Sequence, residues 1–353
     1  MVPLFVMSLA PFSGKTAVCL GVGDRLRRDG MRVGYFKPVG VTVGRPTEED
    51  PDCQLARAAL GLREEVSLLC PVTISSSFLD QVLRGDGVDA VGAVERAYQH
   101  VASRVDVLVV EGPTGLTEGA VVGLDARSAL VKLDARALLV ERFDSPMVVD
   151  RVLGARAFLG DRLLGVLLNA VPTAQHERVD GVVRPFLERR GVRVYGVLPE
   201  DPRLRAVSAQ EVLEAVDGQV LVRQDRLDVL VEHVLVGAMG YESALSFFRR
   251  KANKLVITGG DRADIQLAAL ETPTAALLLT GNLPPQPTVL GRAEELGVPV
   301  ILTRLDTFSA VERVERLMRE VRYHQGGRAQ RFQELLGRGL DYARLKADLG
   351  LGV

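Results

Sequence analysis

Tryptophan is absent from this 353-residue sequence, and aromatic residues make up only 5% of it. Base-stacking surfaces for single-stranded nucleic acid therefore have little material. The formal net charge of −1 gives no long-range attraction to nucleic acid or to a membrane surface. No apolar run approaches the roughly 20 residues that span a bilayer. We expect a protein with no nucleic-acid partner and no membrane partner.

Cysteine is scarce as well. Cys19, Cys53 and Cys70 are the three thiols, and they lack the spacing of a metal site or of a disulfide framework. Scattered thiols are typical of a reducing compartment. No basic segment precedes the apolar run at the N-terminus, so we expect no signal peptide and a cytoplasmic location. The length predicts two domains, each with its own core.

The apolar run at the N-terminus leads through a short loop into a helix that opens with Gly14-Lys15-Thr16. This pattern is typical of phosphate binding, because backbone N–H groups and the positive end of the helix face the anion. Lys15 adds a mobile charge, and the Thr16 hydroxyl can bind Mg²⁺. The usual motif has a glycine five positions before Gly14, but Leu9 stands there.

Short runs rich in Val and Leu alternate with amphipathic helical patterns over the first half of the chain. Runs of this kind suit a parallel sheet covered on both faces. The predicted strands are Val2–Leu9, Arg32–Phe36, Val105–Val110, Ala137–Val140, Leu163–Leu168 and Val192–Leu198. The sequence therefore predicts a doubly wound α/β domain, whose ligands collect beyond the carboxyl ends of the strands.

A second and smaller α/β unit is predicted after the first domain. Its strands are predicted at Gln219–Val222, Leu255–Thr258, Ala275–Leu279 and Val298–Thr303. Its helices are predicted at Leu227–Val234, Tyr241–Lys251, Ala263–Leu270, Gln286–Leu296 and Ser309–Val321. An amphipathic helical tail follows, which packs back or joins subunits. We place the domains at residues 1–213 and 214–322, and the tail at 323–353.

Polar residues that suit phosphate chemistry follow the ends of several predicted strands. Lys37 comes directly after the second strand, and Asp50-Pro51-Asp52 follows in a loop rich in Gly, Pro and acidic residues. Glu111 ends a buried apolar strand, where an ionised carboxylate is costly unless a cation or donor meets it. Asn169 and Pro199 end two later strands, where amide or backbone groups can contact a nucleobase.

Together these residues resemble the dethiobiotin synthetase and cobyrinic acid amide synthase group of P-loop proteins. The resemblance covers about the first 210 residues and is greatest to the dethiobiotin-synthetase-like region of long bacterial phosphotransacetylases. Three blocks carry it: Pro11-Phe12-Ser13-Gly14-Lys15-Thr16, Tyr35-Phe36-Lys37-Pro38 and Glu111-Gly112-Pro113. The fold implied is a mostly parallel P-loop NTPase domain.

The resemblance implies an ATP site that uses Mg²⁺. Lys15 and Lys37 would be the catalytic lysines, with Lys37 contacting the transferred phosphoryl group. The metal would be held by Thr16, Asp52 and Glu111. The nucleotide would be held by Pro11, Phe12, Ser13, Gly14, Lys15, Thr16 and Ala17, with Asn169 and Pro199 near the adenine. Dethiobiotin synthetases are homodimers, so a homodimer or higher homo-oligomer is also implied.

The segment from Asn253 to Leu270 resembles a DRTGG domain, which follows the synthetase-like region in those phosphotransacetylases. Its Gly259-Gly260-Asp261-Arg262 turn suits an anion; alternatively, it is a tight turn in which Asp261 caps the next helix. We expect neither the acetyltransferase domain nor a glutaminase domain in this chain. The apolar Ser8-Leu9-Ala10-Pro11 segment departs from the hydroxyl-rich loop of dethiobiotin synthetases, which argues against biotin synthesis.

Three functional hypotheses follow from the sequence. The first is an ATPase or an ATP-dependent ligase that phosphorylates an unidentified carboxylate or carbamate. The second is a regulatory module, in which the P-loop domain senses a nucleotide and the DRTGG domain senses a metabolite or partner without chemistry. A purely structural protein is the third, and it leaves Lys37 and Glu111 without a role.

Overall fold

The computed structural model describes residues 1–41, 49–319 and 328–352 of the chain. The chain forms two compact units. The first comprises Met1–Glu200 together with Tyr323–Val353, and the second comprises Asp201–Arg322. Among the described residues, no helix is both long and apolar enough to cross a membrane.

The first unit is built on a six-stranded, fully parallel sheet. Its strands and those of a small parallel pair are β1 (Val2–Ser8), β2 (Val33–Phe36), β3 (Val39–Val41), β4 (Val72–Ile74), β5 (Val107–Thr114), β6 (Arg136–Arg142), β7 (Leu163–Val171) and β8 (Arg193–Pro199). The order in the large sheet is β2-β5-β1-β6-β7-β8, while β3 pairs with β4 in a separate two-stranded sheet. The central strands are fully buried, which explains their continuous Val and Leu runs.

Helices connect these strands. They are α1 (Lys15–Arg28), α2 (Pro51–Leu60), α3 (Val66–Leu69), α4 (Ser76–Arg84), α5 (Ala90–Ala102), α6 (Ala126–Lys132), α7 (Val148–Leu159), α8 (His176–Arg178) and α9 (Arg184–Arg189). A π-helical turn over Val179–Val183 joins α8 to α9. The predicted doubly wound α/β fold is confirmed. Because the strand order reverses at β1, the loop after β1 lies at the switch point where such sheets bind ligands.

The second unit is also an α/β structure. Its elements are α10 (Pro202–Arg205), β9 (Val207–Ser208), α11 (Ala209–Ala215), β10 (Gln219–Val222), β11 (Leu230–Val231), β12 (His233–Val236), α12 (Tyr241–Phe248), β13 (Lys254–Gly259), α13 (Ala263–Leu270), β14 (Thr274–Thr280), α14 (Pro287–Leu296), β15 (Val300–Leu302) and α15 (Thr307–Arg319). The sheet order is β10-β15-β14-β13-β12, with only β10 antiparallel to its neighbour. Alternate strand residues enter two apolar cores, one on each face of the sheet.

One predicted helix of this unit is wrong. The segment Leu227–Val234, predicted as helix, forms the end of a turn, the short strand β11 and the beginning of β12. β12 pairs in parallel with β13 and forms one edge of the five-stranded sheet. The predicted helix Ser309–Val321 and the predicted tail both extend into residues outside those that the structure describes.

The C-terminal helices α16 (Arg328–Gly339) and α17 (Tyr342–Asp348) are part of the first unit. Leu336 lies against Gly21 of α1, where any larger residue would overlap it. Between the two helices, Leu340 forms an antiparallel bridge with Gly196 of β8. The amide of Asp341 donates to the Tyr195 carbonyl at 2.7 Å. This segment therefore covers both α1 and the edge strand of the large sheet.

Gly196→Ala tests this packing. The added Cβ would overlap the carbonyl oxygen of Gly339, which is backbone and cannot rotate away. We expect the first unit to lose about 1–3 kcal/mol of unfolding free energy, as overpacking does elsewhere. Gly154→Ala, in open space on α7, is the matched control and should gain roughly 0.5–1 kcal/mol. Urea unfolding measures both, and equal effects would contradict the described packing.

Lys254, at the start of β13, is fully buried, and its Nζ donates to the Pro273 carbonyl at 2.8 Å. Burial lowers its pKa to about 8. The charged form of Lys254 destabilises the folded state below about pH 8, whereas the unfolded chain stays protonated up to about pH 10.5, so this destabilisation is relieved between those two values. The stability of the second unit therefore rises as the pH increases from about 8 to about 10.5.

Lys254→Met should remove this pH dependence and raise the melting temperature at pH 7, because no charge then has to be buried. Calorimetry of the full chain at several pH values measures the melting temperature of the unfolding transition that shifts in Lys254→Met. The exposed Lys251→Met is the control and should keep the wild-type profile. A wild-type profile in Lys254→Met would show that another group causes the dependence.

Candidate functional site

The loop between β1 and α1 leaves the first turn of α1 open to an anion. Gly14, the residue before α1, has a left-handed backbone with φ of 94°. Gly14 has no side chain and makes no side-chain cap, so the first N–H groups of α1 are left for another acceptor. A Cβ at Gly14 would lie 2.6 Å from Nδ2 of Asn169, which also requires glycine here. The geometry is that of an anion-binding helix terminus.

Internal hydrogen bonds shape the loop. The hydroxyls of Ser8 and Ser13 both donate to the Ala10 carbonyl at 3.0 Å. Phe12 has a positive φ of 56°, whereas Leu9, which replaces the usual glycine, is not among the residues with positive φ. The left-handed turn therefore falls at Phe12, and Leu9 needs no glycine-like backbone.

Glu111 is the centre of the site. Its side chain is buried, and its two oxygens accept from the Thr16 hydroxyl at 2.8 Å and from the Tyr35 hydroxyl at 2.9 Å. Burial raises the pKa of Glu111, as does the charge of Asp52, while Lys37 and Lys15 act in the opposite direction. Burial and the Glu111 charge likewise raise the pKa of Tyr35. Tyr35 therefore stays a hydrogen-bond donor.

Lys15 reaches a hydroxyl that the sequence did not single out. Its Nζ donates to Oγ1 of Thr114 at 2.5 Å. Thr114 is the last residue of β5, three positions after Glu111, and it pairs with Ser8 at a bulge. A hydroxyl residue at a strand end close behind a carboxylate was the available signal. Thr114 belongs to the candidate site.

Lys37 is held by two carboxylates. Its Nζ lies 2.8 Å from Asp50 Oδ2 and 2.7 Å from Asp52 Oδ2. Burial alone would lower the pKa of Lys37, but the charges of Glu111, Asp52 and Asp50 together raise it. Asp50 also caps α2 by accepting from the amides of Asp52 and Cys53. Much of the predicted acidic loop before Asp50 lies outside the described residues.

The structure brings most of the predicted residues to one edge of the sheet. Lys15 and Thr16 lie beside Glu111 and Thr114, and the Lys37–Asp52 pair acts on Glu111 through charge. No three His, Cys, Asp or Glu side chains converge as a metal site in the part of the chain that the structure describes. A metal there would use the Thr16 hydroxyl and backbone or ligand oxygens besides carboxylates.

The remaining predicted residues flank this cluster. Pro11 and Phe12 are exposed at the tip of the loop, and Ala17 is buried in the first turn of α1. Asn169 donates from Nδ2 to the Ser13 carbonyl at 2.9 Å, so its side chain supports the loop. Pro199 ends β8 beside Val171 of β7.

The glycine turn of the second unit is a tight turn. The Arg262 amide donates to the Gly259 carbonyl at 3.1 Å, and Arg262 pairs with Asp264. α13 begins after Arg262 without a side-chain cap, so the predicted cap by Asp261 is wrong. The residue is exposed instead.

A family profile described as AAA domain matches residues 3–208, more than half of the chain. The chain belongs to this family of P-loop domains. A second profile, the DRTGG domain, matches residues 211–317. The predicted combination of a P-loop domain with a DRTGG domain is therefore confirmed.

Curated relatives match this chain over most of its length. Phosphate acetyltransferases of Pseudomonas putida and Synechocystis are each 28% identical to this chain, over 96% and 89% of its length. The enzyme of Pseudomonas aeruginosa is 26% identical over 96%. The matches take up 50%, 47% and 50% of these proteins, so the chain spans about half the length of its relatives.

Two solved structures show partial similarity at 18% identity. The MinC:MinD complex of Aquifex aeolicus matches with a TM-score of 0.37, over 58% of this chain and 84% of that one. The CBS and DRTGG domains of Clostridium perfringens pyrophosphatase, complexed with the activator diadenosine tetraphosphate, match with a TM-score of 0.28. That match covers 42% of this chain and 71% of the other. Both scores are too low to support a functional comparison.

Glu111→Gln tests the electrostatics of the AAA domain. Because the folded pKa of Glu111 is raised, the fold loses stability as the pH rises from 4.5 through that pKa. The neutral amide should therefore raise the melting temperature at pH 7 and flatten its decline with pH. Calorimetry measures both, with the surface substitution Glu95→Gln as control, expected within about 0.5 kcal/mol of wild type. A lower melting temperature for Glu111→Gln would contradict the assigned burial cost.

Proposed function

We propose that the AAA domain binds Mg-ATP at the loop between β1 and α1. The observation that supports this most is the Thr16–Glu111 hydrogen bond directly behind the uncapped N-terminus of α1. A hydroxyl and a carboxylate at a phosphate-binding helix end are the donors that Mg²⁺ prefers. The nucleotide phosphates would accept hydrogen bonds from the amides of this loop. Lys15, which donates to Thr114 in this structure, would contact the phosphates instead.

The residues present fit a magnesium ion. Thr16 and Glu111 offer hard oxygen atoms, and Asp52, which is partly exposed, acts on Glu111 through its charge. When bound, Mg²⁺ supplies charge neutralisation for the phosphates. The buried position of Glu111, which is costly without a cation, supports the same assignment. Asn169 and Pro199, at the ends of β7 and β8, would flank the adenine.

We propose that the chemistry, where it occurs, is phosphoryl transfer to water or to a carboxylate or carbamate. Catalysis of this kind consists mainly of positioning and charge stabilisation. Asp52 would help to hold the metal, and Lys37, whose ammonium group is also paired with Asp50, would contact the transferred phosphoryl group. In this proposal the lysines and the metal would stabilise the charge of the transferred phosphoryl group. Whether water, a carboxylate or a carbamate accepts that group would decide which reaction takes place.

Lys15→Ala is the direct test. Loss of a charge-assisted contact to the phosphates should weaken Mg-ATP binding by about 100-fold and abolish phosphate release. Titration calorimetry with Mg-ATP, together with a phosphate-release assay, measures both. Lys132→Ala, which removes a surface lysine paired with Glu95, should behave as wild type. Undiminished ATP binding in Lys15→Ala would refute the proposed site.

A non-catalytic regulatory module is the second candidate, and the state of Lys37 favours it. Its ammonium group is already neutralised by two carboxylates, so it offers little free charge to a transferring group. In this role the AAA domain senses the nucleotide and the DRTGG domain senses a metabolite or partner. Tight Mg-ATP binding without phosphate release, with any acid or amine added, would favour it.

We also propose that the chain forms a homodimer or higher homo-oligomer, as the resemblance to dethiobiotin synthetases implies. Helix α4 supports an association surface, because none of its residues is buried and Leu83 is strongly exposed. Light scattering during gel filtration measures the mass directly.

A further inference from the structure

Glu141 is a buried carboxylate outside the predicted site that touches the phosphate loop. Its side chain has no solvent exposure, and Oε1 accepts from the Leu9 amide at 2.6 Å. β1 and β6 pair up to Met7 and Leu139. Leu9 and Glu141 each lie two residues beyond this last pair. The Glu141 side chain therefore accepts the hydrogen bond of an amide that lies just past the end of the strand pairing.

Arg151 of α7 supports the other oxygen of Glu141. Its Nε lies 3.3 Å from Oε2, and its Nη2 lies 2.9 Å from Asp144 Oδ1. Burial raises the pKa of Glu141, whereas the Leu9 amide and Arg151 oppose that shift. An isolated buried carboxylate is costly, and two donors from different elements offset this cost. One carboxylate oxygen therefore contacts the loop and the other contacts Arg151.

We infer that Glu141 is a positioning residue that fixes the start of the phosphate loop, and that Arg151 orients it. The other end of the loop is held from the next strand, where Asn169 donates to the Ser13 carbonyl. The loop is therefore fixed at its first and fifth residues by side chains of β6 and β7. This arrangement explains how Leu9 replaces a glycine: the carboxylate holds its amide in place.

A merely structural ion pair would behave differently. If Glu141 only formed an ion pair, its effect would depend on Arg151 and not on the hydrogen bond to the Leu9 amide. If Glu141 positions the loop, its effect depends on an acceptor for the Leu9 amide and not on the charge of that acceptor. Replacing both partners by uncharged residues removes the ion pair without leaving a buried charge, which proteins tolerate well. The two roles can therefore be separated by what stands at position 141.

The experiment compares two double variants of the full chain. Glu141→Gln with Arg151→Met keeps an oxygen for the Leu9 amide, whereas Glu141→Met with Arg151→Met removes it. Hydrogen exchange of the Leu9 amide is measured without nucleotide. We expect near wild-type exchange in the first variant and exchange at least about tenfold faster in the second. Asp144→Asn, which touches Arg151 but not the loop, should leave the exchange unchanged.

The consequence for ligand binding rests on the proposed function. A loop that is shaped in advance loses less freedom on binding, so the second double variant should bind Mg-ATP about tenfold more weakly than the first. Equal Leu9 exchange in the two double variants would overturn the inference, whatever ATP does. If the wild-type chain does not bind ATP, the proposed function fails, while the exchange comparison still decides the role of Glu141. If Glu141→Met with Arg151→Met does not fold, Glu141→Leu with Arg151→Met replaces it in the comparison. If neither of these two double variants folds, a purely positioning role for Glu141 is refuted.

Discussion

The burial of one carboxylate, Glu111, is the constraint on which the site of the AAA domain depends. An ionised group inside a parallel sheet is tolerated only where donors and cations meet it. Thr16 and Tyr35 supply the hydrogen bonds, and the nearby lysines supply opposing charge. These groups come from β1–α1, β2 and β5, so the carboxylate ties together three segments that are distant in sequence. Glu111 therefore belongs both to the candidate site and to the buried interior of the sheet.

Much of this arrangement could be predicted because it is encoded locally. Continuous Val and Leu runs mark strands buried on both faces, and Gly14-Lys15-Thr16 marks a helix start of the kind that suits an anion. A polar residue directly after such a run, such as Glu111 or Asn169, lies at the carboxyl edge of the sheet whatever the strand order is. Local pattern plus this one rule of topology places the phosphate loop and its principal neighbours.

The remaining features depend on the register between distant strands, which a single sequence does not reveal. Thr114 meets Lys15, and Glu141 meets Leu9, only because β5 and β6 flank β1 in a particular alignment. The segment Leu227–Val234 shows another limit. Leu227, Leu230, Val231 and Val234 have helical spacing, yet alternation also fits the same stretch. Pairing of β12 with β13 decided between them, so tertiary contacts overrode an ambiguous pattern.

The antiparallel bridge between Leu340 and Gly196 has a consequence for how the protein behaves in concentrated solution. β8 is an outer strand of the large sheet, and the exposed edge of an outer strand readily recruits strands of other molecules. The segment around Leu340 occupies backbone groups that would otherwise be open to such pairing. Shortening the chain ahead of Arg328 would unmask that edge. The contacts of this segment with β8 therefore reduce the open edge that the large sheet offers to other molecules.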